Sequence, residues 1–108
     1  MKKEIRLMLD YQCYPIWIYD ENGDFIDNDL VEEIKKNKEI IIKLEEIQNK
    51  FDSLYLNNQE EFKYIGFNSA DDKRNFEEMV YKIYNHLCNV LSEKYIVKKM
   101  VDIHNIYI

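Results

Sequence analysis

Residues 4–26 read EIRLMLDYQCYPIWIYDENGDFI. Residues 4–10 alternate: Ile5, Leu7 and Leu9 fall on one side, Arg6 and Asp10 on the other. Period two is the mark of a half-buried strand. YQCY makes a short connection. Residues 14–19, YPIWIY, are aromatic and β-branched and predict a second strand. Pro15 has no backbone donor, so it belongs at that strand's start or on an edge. Asn22-Gly23 predicts a tight turn, because both residues tolerate positive φ. Phe25 and Ile26 then pair back on the second strand.

Beyond this segment the period changes. Ile40, Leu44, Ile47, Phe51 and Leu54 form an apolar stripe at helical spacing, predicting a helix from Lys38 to Leu56. Residues 29–36 suggest a short helix before it. LNNQE breaks the pattern, and residues 61–67, EFKYIGF, read as a third strand. Ser69 with Asp72 three residues on predicts a helix N-cap, and Asp71 and Asp72 suit the helix dipole. Phe76, Val80, Ile83, Leu87 and Val90 carry that second long helix to about Glu93. In the tail, Tyr95, Val97, Val101 and Ile103 fit a strand, whereas Ile96, Val97, Met100 and Val101 fit a helix. β-Branching favours the strand. The expected fold is α+β: a small, mainly antiparallel sheet with two long helices packed on one face.

The 108 residues, 46% hydrophobic and 33% charged, predict a single domain spanning residues 1–108. A chain this long buries roughly two-thirds of its surface. Nine Tyr, five Phe and one Trp argue against disorder. No apolar run is long enough to span a membrane. The opening MKKEIRLMLDY lacks the sustained apolar region and cleavage site of a signal peptide. Cys13 and Cys88 match no metal or redox spacing, which predicts buried free thiols and a reducing, cytoplasmic compartment. The net charge of −6 disfavours nucleic-acid binding.

That charge has one source. Asp20, Glu21, Asp24, Asp27, Asp29, Glu32 and Glu33 fall within residues 20–33, which hold no Lys or Arg. The remainder of the chain carries 15 basic residues against 14 acidic ones. A calcium loop would need oxygen ligands at fixed positions and a Gly at the sixth. Started at Asp20, that frame places Phe25 at the Gly position and Val31 at the bidentate Glu position, so it fails. Only a weak, improvised cation site would remain.

Nucleophilic chemistry fares no better. Cys13 or Cys88 could be matched on paper with His86 or His104, but His86 and Cys88 are two apart on a predicted helix and face different directions. There is no nucleophile elbow, phosphate loop or zinc spacing. The chain is therefore expected to be no enzyme and to need no cofactor. Tyr11, Tyr14, Trp17 and Tyr19 cluster around the second strand. Tyr14 and Ile16 cannot share a face with Trp17 and Tyr19. With helices on one face only, part of this set is exposed, and exposed aromatics beside charge are the usual makeup of a binding hot spot. Uncompensated acids repel one another, a cost that a basic partner would relieve.

LMLDYQCYPIWIYDENGDFIDNDL (residues 7–30) and EIQNKFDSLYLNNQEEFKYIGF (residues 46–67) resemble small immunity proteins of bacterial polymorphic toxin systems, including contact-dependent growth inhibition. The resemblance covers roughly residues 5–67, and the helix opened by SADDKRNFEEM fits the same layout. It implies a cytoplasmic protein that binds the C-terminal effector domain of a cognate toxin and neutralises it, with no nucleic acid and no membrane as partner. Many such toxins are basic nucleases. Charge and exposure, not the resemblance, nominate the contacts: Asp20, Glu21, Asp24, Asp27, Asp29, Glu32 and Glu33, with Tyr19 and Phe25 as anchors. A non-enzymatic adaptor or assembly subunit using the same surface is the competing class, and a small enzyme with an unrecognised site is the third.

Overall fold

The computed structural model describes residues 2–101. Strands β1 (Lys3–Leu7), β2 (Ile16–Tyr19) and β3 (Phe25–Asp27) are followed by a 3₁₀ turn (Glu32–Ile34) and helix α1 (Lys38–Asp52). Strands β4 (Tyr55–Asn57) and β5 (Phe62–Tyr64), helix α2 (Ala70–Leu91) and strand β6 (Tyr95–Lys99) complete the order. The main sheet runs β3-β2-β1-β6, and β4-β5 form a separate two-stranded sheet. β1 pairs antiparallel with β2, β2 antiparallel with β3, and β1 parallel with β6. The architecture is the α+β fold expected from the periodicities.

Register follows from burial. Ile5 lies opposite Ile18 and Leu7 opposite Ile16. These four form one apolar face with the helical stripes Ile40, Leu44, Ile47, Phe51 and Phe76, Val80, Ile83, Leu87. A one-residue slip would turn the whole set outward. Truncating a fully buried Leu such as Leu87 would cost roughly 2–5 kcal/mol. Pro15 sits just before β2, as its missing donor requires. Gly23 takes φ +86° at the turn, the positive value the Asn-Gly pair anticipates. The Ser69 hydroxyl caps α2 by accepting from the Asp72 N–H at 3.0 Å.

Several boundaries differ from expectation. Leu9 lies outside β1, which ends at Leu7. The segment 29–36 holds only the single 3₁₀ turn, pinned by buried Val31 and Ile34. α1 ends at Asp52; the Leu54 N–H folds back onto the Phe51 carbonyl at 3.0 Å, keeping Leu54 in the core while the chain turns into β4. LNNQE proves to be the end of β4 and a hairpin loop, in which the Asn58 carboxamide oxygen accepts from the Glu60 and Glu61 N–H groups. The third strand shrinks to Phe62–Tyr64 and pairs with β4 rather than joining the main sheet. α2 stops at Leu91, and Leu91 is buried whereas Val90 is 39% exposed. The two positions flank the stripe almost equally, so the immediate turn into β6 decides between them. β6 confirms the strand at Tyr95 and Val97; Val101 follows it, buried, and Ile103 and His104 lie outside the described residues.

One side chain does the work of a strand. β3 is too short to cover the start of β2. Asn28 extends that edge instead: its carboxamide oxygen accepts from the Tyr14 N–H at 3.1 Å. Its amide donates to the Tyr14 and Ile16 carbonyls at 2.6 and 2.8 Å. Asn28→Ala leaves these partly buried backbone groups unpaired and should destabilise the fold by about 2 kcal/mol. Urea denaturation would show a lower midpoint at unchanged slope; an unchanged midpoint would mean that water replaces the carboxamide without loss.

Candidate functional site

The pleat that buries Ile5, Leu7, Ile16 and Ile18 turns their neighbours to the opposite face of the sheet. Across that face the register aligns Phe25, Tyr19, Glu4 and Ile96 in one row, and Trp17, Arg6 and Lys98 in the next. Both helices bury their stripes against the other side. The Phe25 ring lies 5.9 Å from Trp17 and 5.7 Å from Tyr19, centroid to centroid. The Trp17 indole N–H donates to the Met8 carbonyl at 3.1 Å, fixing the ring plane. The Arg6 guanidinium lies 3.9 Å above the Tyr19 ring and pairs with Glu4. Glu4 also accepts from Lys98 at 3.0 Å. Arg6 first, then Lys98, hold the Glu4 carboxyl below its usual range. The result is an aromatic and ion-paired surface, with Phe25 54% and Ile96 47% exposed.

The seven acids are not one patch. Asp20 closes the β2–β3 turn, its carboxylate accepting from the Asn22 and Asp24 N–H groups at 2.9 Å each. Glu21 and Asp24 project from that turn, exposed. Asp27 and Asp29 each accept from the next residue's N–H, and Glu32 pairs with Lys35 at 2.7 Å. Glu32 first, with smaller contributions from Asp29 and Asp27, raises the Lys35 pKa. Glu33 points elsewhere. It accepts from the Tyr95 hydroxyl at 2.9 Å and lies 3.7 Å from Lys94. Tyr95 belongs to the strand at the opposite edge of the sheet from β3. The acids thus form a belt from one edge to the other. Tyr19 and Phe25 sit beside its β3 end.

Arg6, Glu4, Lys98 and Ile96 join this face without having been singled out from sequence. The alternation around Arg6 marks it as outward, but its neighbours depend on β6 lying beside β1. The two thiols are half-buried rather than buried. Burial first, then Asp10 and Asp52, push the Cys13 thiol up, away from the thiolate form. Cys88 first, then burial, raise the hydroxyl pKa of Tyr84, one turn back on α2. Among the described residues no group of three His, Cys, Asp or Glu side chains could hold a metal ion. A groove of about 240 Å³ between the helices is lined by Lys43, Glu46, Ile47, Met79 and Lys82. No helix among the described residues is long and apolar enough to cross a membrane.

Exposed rings beside ion pairs on one face of a small α+β domain are a composition common at protein-binding surfaces. Comparison with family models gives the class a name. The model described as Serratia CdiI immunity protein-like matches residues 3–101, and the chain belongs to that family. It is thereby a contact-dependent growth inhibition immunity protein, whose kind binds a cognate toxin. No curated protein matches the chain.

The Glu33–Tyr95 contact gives the belt a pH signature. The Glu33 carboxyl is held below its ordinary value of 4.5, first by its own backbone N–H and then by the Tyr95 hydroxyl. Partial burial first, then Glu33, push Tyr95 up to about 12. A carboxyl whose folded pKa is depressed stabilises the fold above the unfolded value and loses that contribution as pH falls through the folded one. Tyr95→Phe should therefore raise the Glu33 pKa partway toward 4.5 and shrink the stability lost below that pH. Carboxyl ¹³C titration by NMR reads the shift directly; an unmoved Glu33 would mean that the hydroxyl contact is absent in solution.

Proposed function

We propose that the protein is a stoichiometric inhibitor that neutralises the C-terminal effector domain of its cognate toxin in the cytoplasm, through the β2–β3 edge of the sheet. The observation that carries this reading is the adjacency of exposed Phe25 and half-buried Tyr19 to the acidic turn that joins their strands. Tyr19 and Phe25 supply contact area, and Asp20, Glu21, Asp24, Asp27, Asp29, Glu32 and Glu33 supply the field. Within that set the labour divides. Asp20 and Glu33 are engaged in holding the turn and the sheet edge. Glu21, Asp24, Asp27 and Asp29 make no ion pair among the described residues, and they carry the steering.

The target class that an acidic belt fits is a basic effector, of which a nuclease is the plainest example. A nuclease must be positive where it grips phosphate, and an acidic inhibitor competes for that same surface. Nucleic acid and membranes are not partners of the inhibitor itself: its net charge of −6 repels phosphate in either form. Complementary charge raises the association rate more than it slows dissociation. A surface of about 800 Å² per partner is sufficient.

Co-expression with the effector domain encoded by the neighbouring toxin gene should give a one-to-one complex on gel filtration and restore growth to cells making that domain. Within the complex, Glu21→Lys, Asp24→Lys, Asp27→Lys and Asp29→Lys together should slow association at least tenfold at low salt, on the order of what electrostatic steering provides. Dissociation should change much less. Stopped-flow mixing separates the two; an unchanged, salt-insensitive association rate would remove the acids from the mechanism.

A further inference from the structure

The second sheet carries an aromatic surface that the open face does not explain. Its register pairs Tyr55 with Tyr64 and Asn57 with Phe62, which puts these four side chains on one face. The Tyr55 end rests on the core through Phe51, ring centroids 5.5 Å apart. The Phe62 end overhangs. Tyr11, from the loop between β1 and β2, meets the overhang at 4.8 Å from Phe62 and 5.1 Å from Tyr55. Its hydroxyl accepts from the Asn57 amide at 3.3 Å. Phe62 and Tyr55 lie parallel, 3° between planes and 5.4 Å between centroids.

This arrangement is held in place. Gln12, next to Tyr11, has φ 56°, a left-handed conformation that a non-glycine residue adopts at a cost. The Gln12 N–H donates to the Asp52 carboxylate at the end of α1, at 2.8 Å, and this fixes the loop against the helix. Yet Phe62 remains 55% exposed and nearby Ile65 53% exposed. Exposed rings of this size, held by a strained loop, mark a surface made to be covered.

The charges around the rings decide by what. Asp10 precedes Tyr11, and Glu60 lies two residues before Phe62; both are exposed. Asp52 lies under the loop, and Asp10 also acts on the Tyr55 hydroxyl. Lys63, whose register partner is Leu56, points to the other face of the hairpin and pairs there with Glu61 at 3.6 Å. Aromatic faces are themselves electron-rich, so rings and rim favour the same charge. An apolar occupant would desolvate the carboxylates without compensating them, and an anion would be repelled.

We propose that the Tyr11–Tyr55–Phe62 ledge is a second recognition surface that accepts an arginine side chain of a partner protein. A guanidinium is planar and stacks on an exposed ring while its edge forks onto a carboxylate; an ammonium does only part of this. The ledge lies on the β4–β5 sheet, not on the open face of the main sheet, and does not depend on the toxin-binding assignment.

The test titrates the ¹³C-labelled protein with acetyl-Gly-Arg-Gly-amide and with its citrulline counterpart, which is neutral and of the same shape. The arginine peptide should shift the ring resonances of Tyr11, Tyr55 and Phe62 saturably. The citrulline peptide should bind about fivefold more weakly, as loss of a cation–π contact implies. Phe62→Leu keeps an apolar side chain on an exposed position and should erase the preference for arginine while leaving the rest of the spectrum in place. Equal binding of the two peptides, a wild-type titration in Phe62→Leu, shifts mapping elsewhere, or no saturable shift with arginine would each overturn the proposal.

Discussion

Everything on the main sheet depends on β1 being hydrogen-bonded on both sides while one of its faces is dry. Ile5 and Leu7 have no exposed surface. Once they are buried, the pleat leaves no freedom for Glu4 and Arg6, which must point the other way. Each neighbouring strand then adds residues in register: Tyr19 and Trp17 from one side, Ile96 and Lys98 from the other. Arg6 over Tyr19 and Glu4 between Arg6 and Lys98 are consequences of that placement. The open face of the sheet is thus the obligatory reverse of the core.

What was legible in the sequence is what short-range periodicity encodes. The alternation in residues 4–10 and 14–19 identified two strands and their faces. The four-three spacing from Ile40 and from Phe76 identified both helices, and Ser69 marked the start of the second. These signals are local, so a single segment suffices to read them. The β4–β5 hairpin was only half legible: residues 61–67 read as a strand, but β4 and the pairing did not show. β4 is three residues long, too short to show a period, and the pairing is fixed by a loop of Asn58 hydrogen bonds. The parallel placement of β6 beside β1 was equally hidden, since no local pattern names a partner strand. With it went Lys98 and Ile96 as members of the open face.

The acidic stretch illustrates how far composition alone reaches. Its count is a property of sequence, but its shape is a property of the fold. Asp20 and Glu33 are thirteen positions apart and serve different ends: one satisfies the backbone of a turn, the other bonds to the far edge strand. Only residues without such duties are free to act at a distance. A carboxylate already accepting two backbone N–H groups projects less of its charge outward than one standing in solvent, so the outward field is shared unequally among residues that look alike on the page.

The pairing of β1 with β6 has a further consequence. Lys3 lies beside Tyr95, so neighbours in space come from opposite ends of the described chain. The β1-β2-β3 meander needs only adjacent segments, but one edge of β1 stays unpaired until β6 arrives. That contact closes a very long loop, and such non-local closure slows folding. During synthesis the same edge is open to other strands while most of the molecule is still being made. The main sheet is therefore complete only after β6 has emerged from the ribosome, a delay set by connectivity.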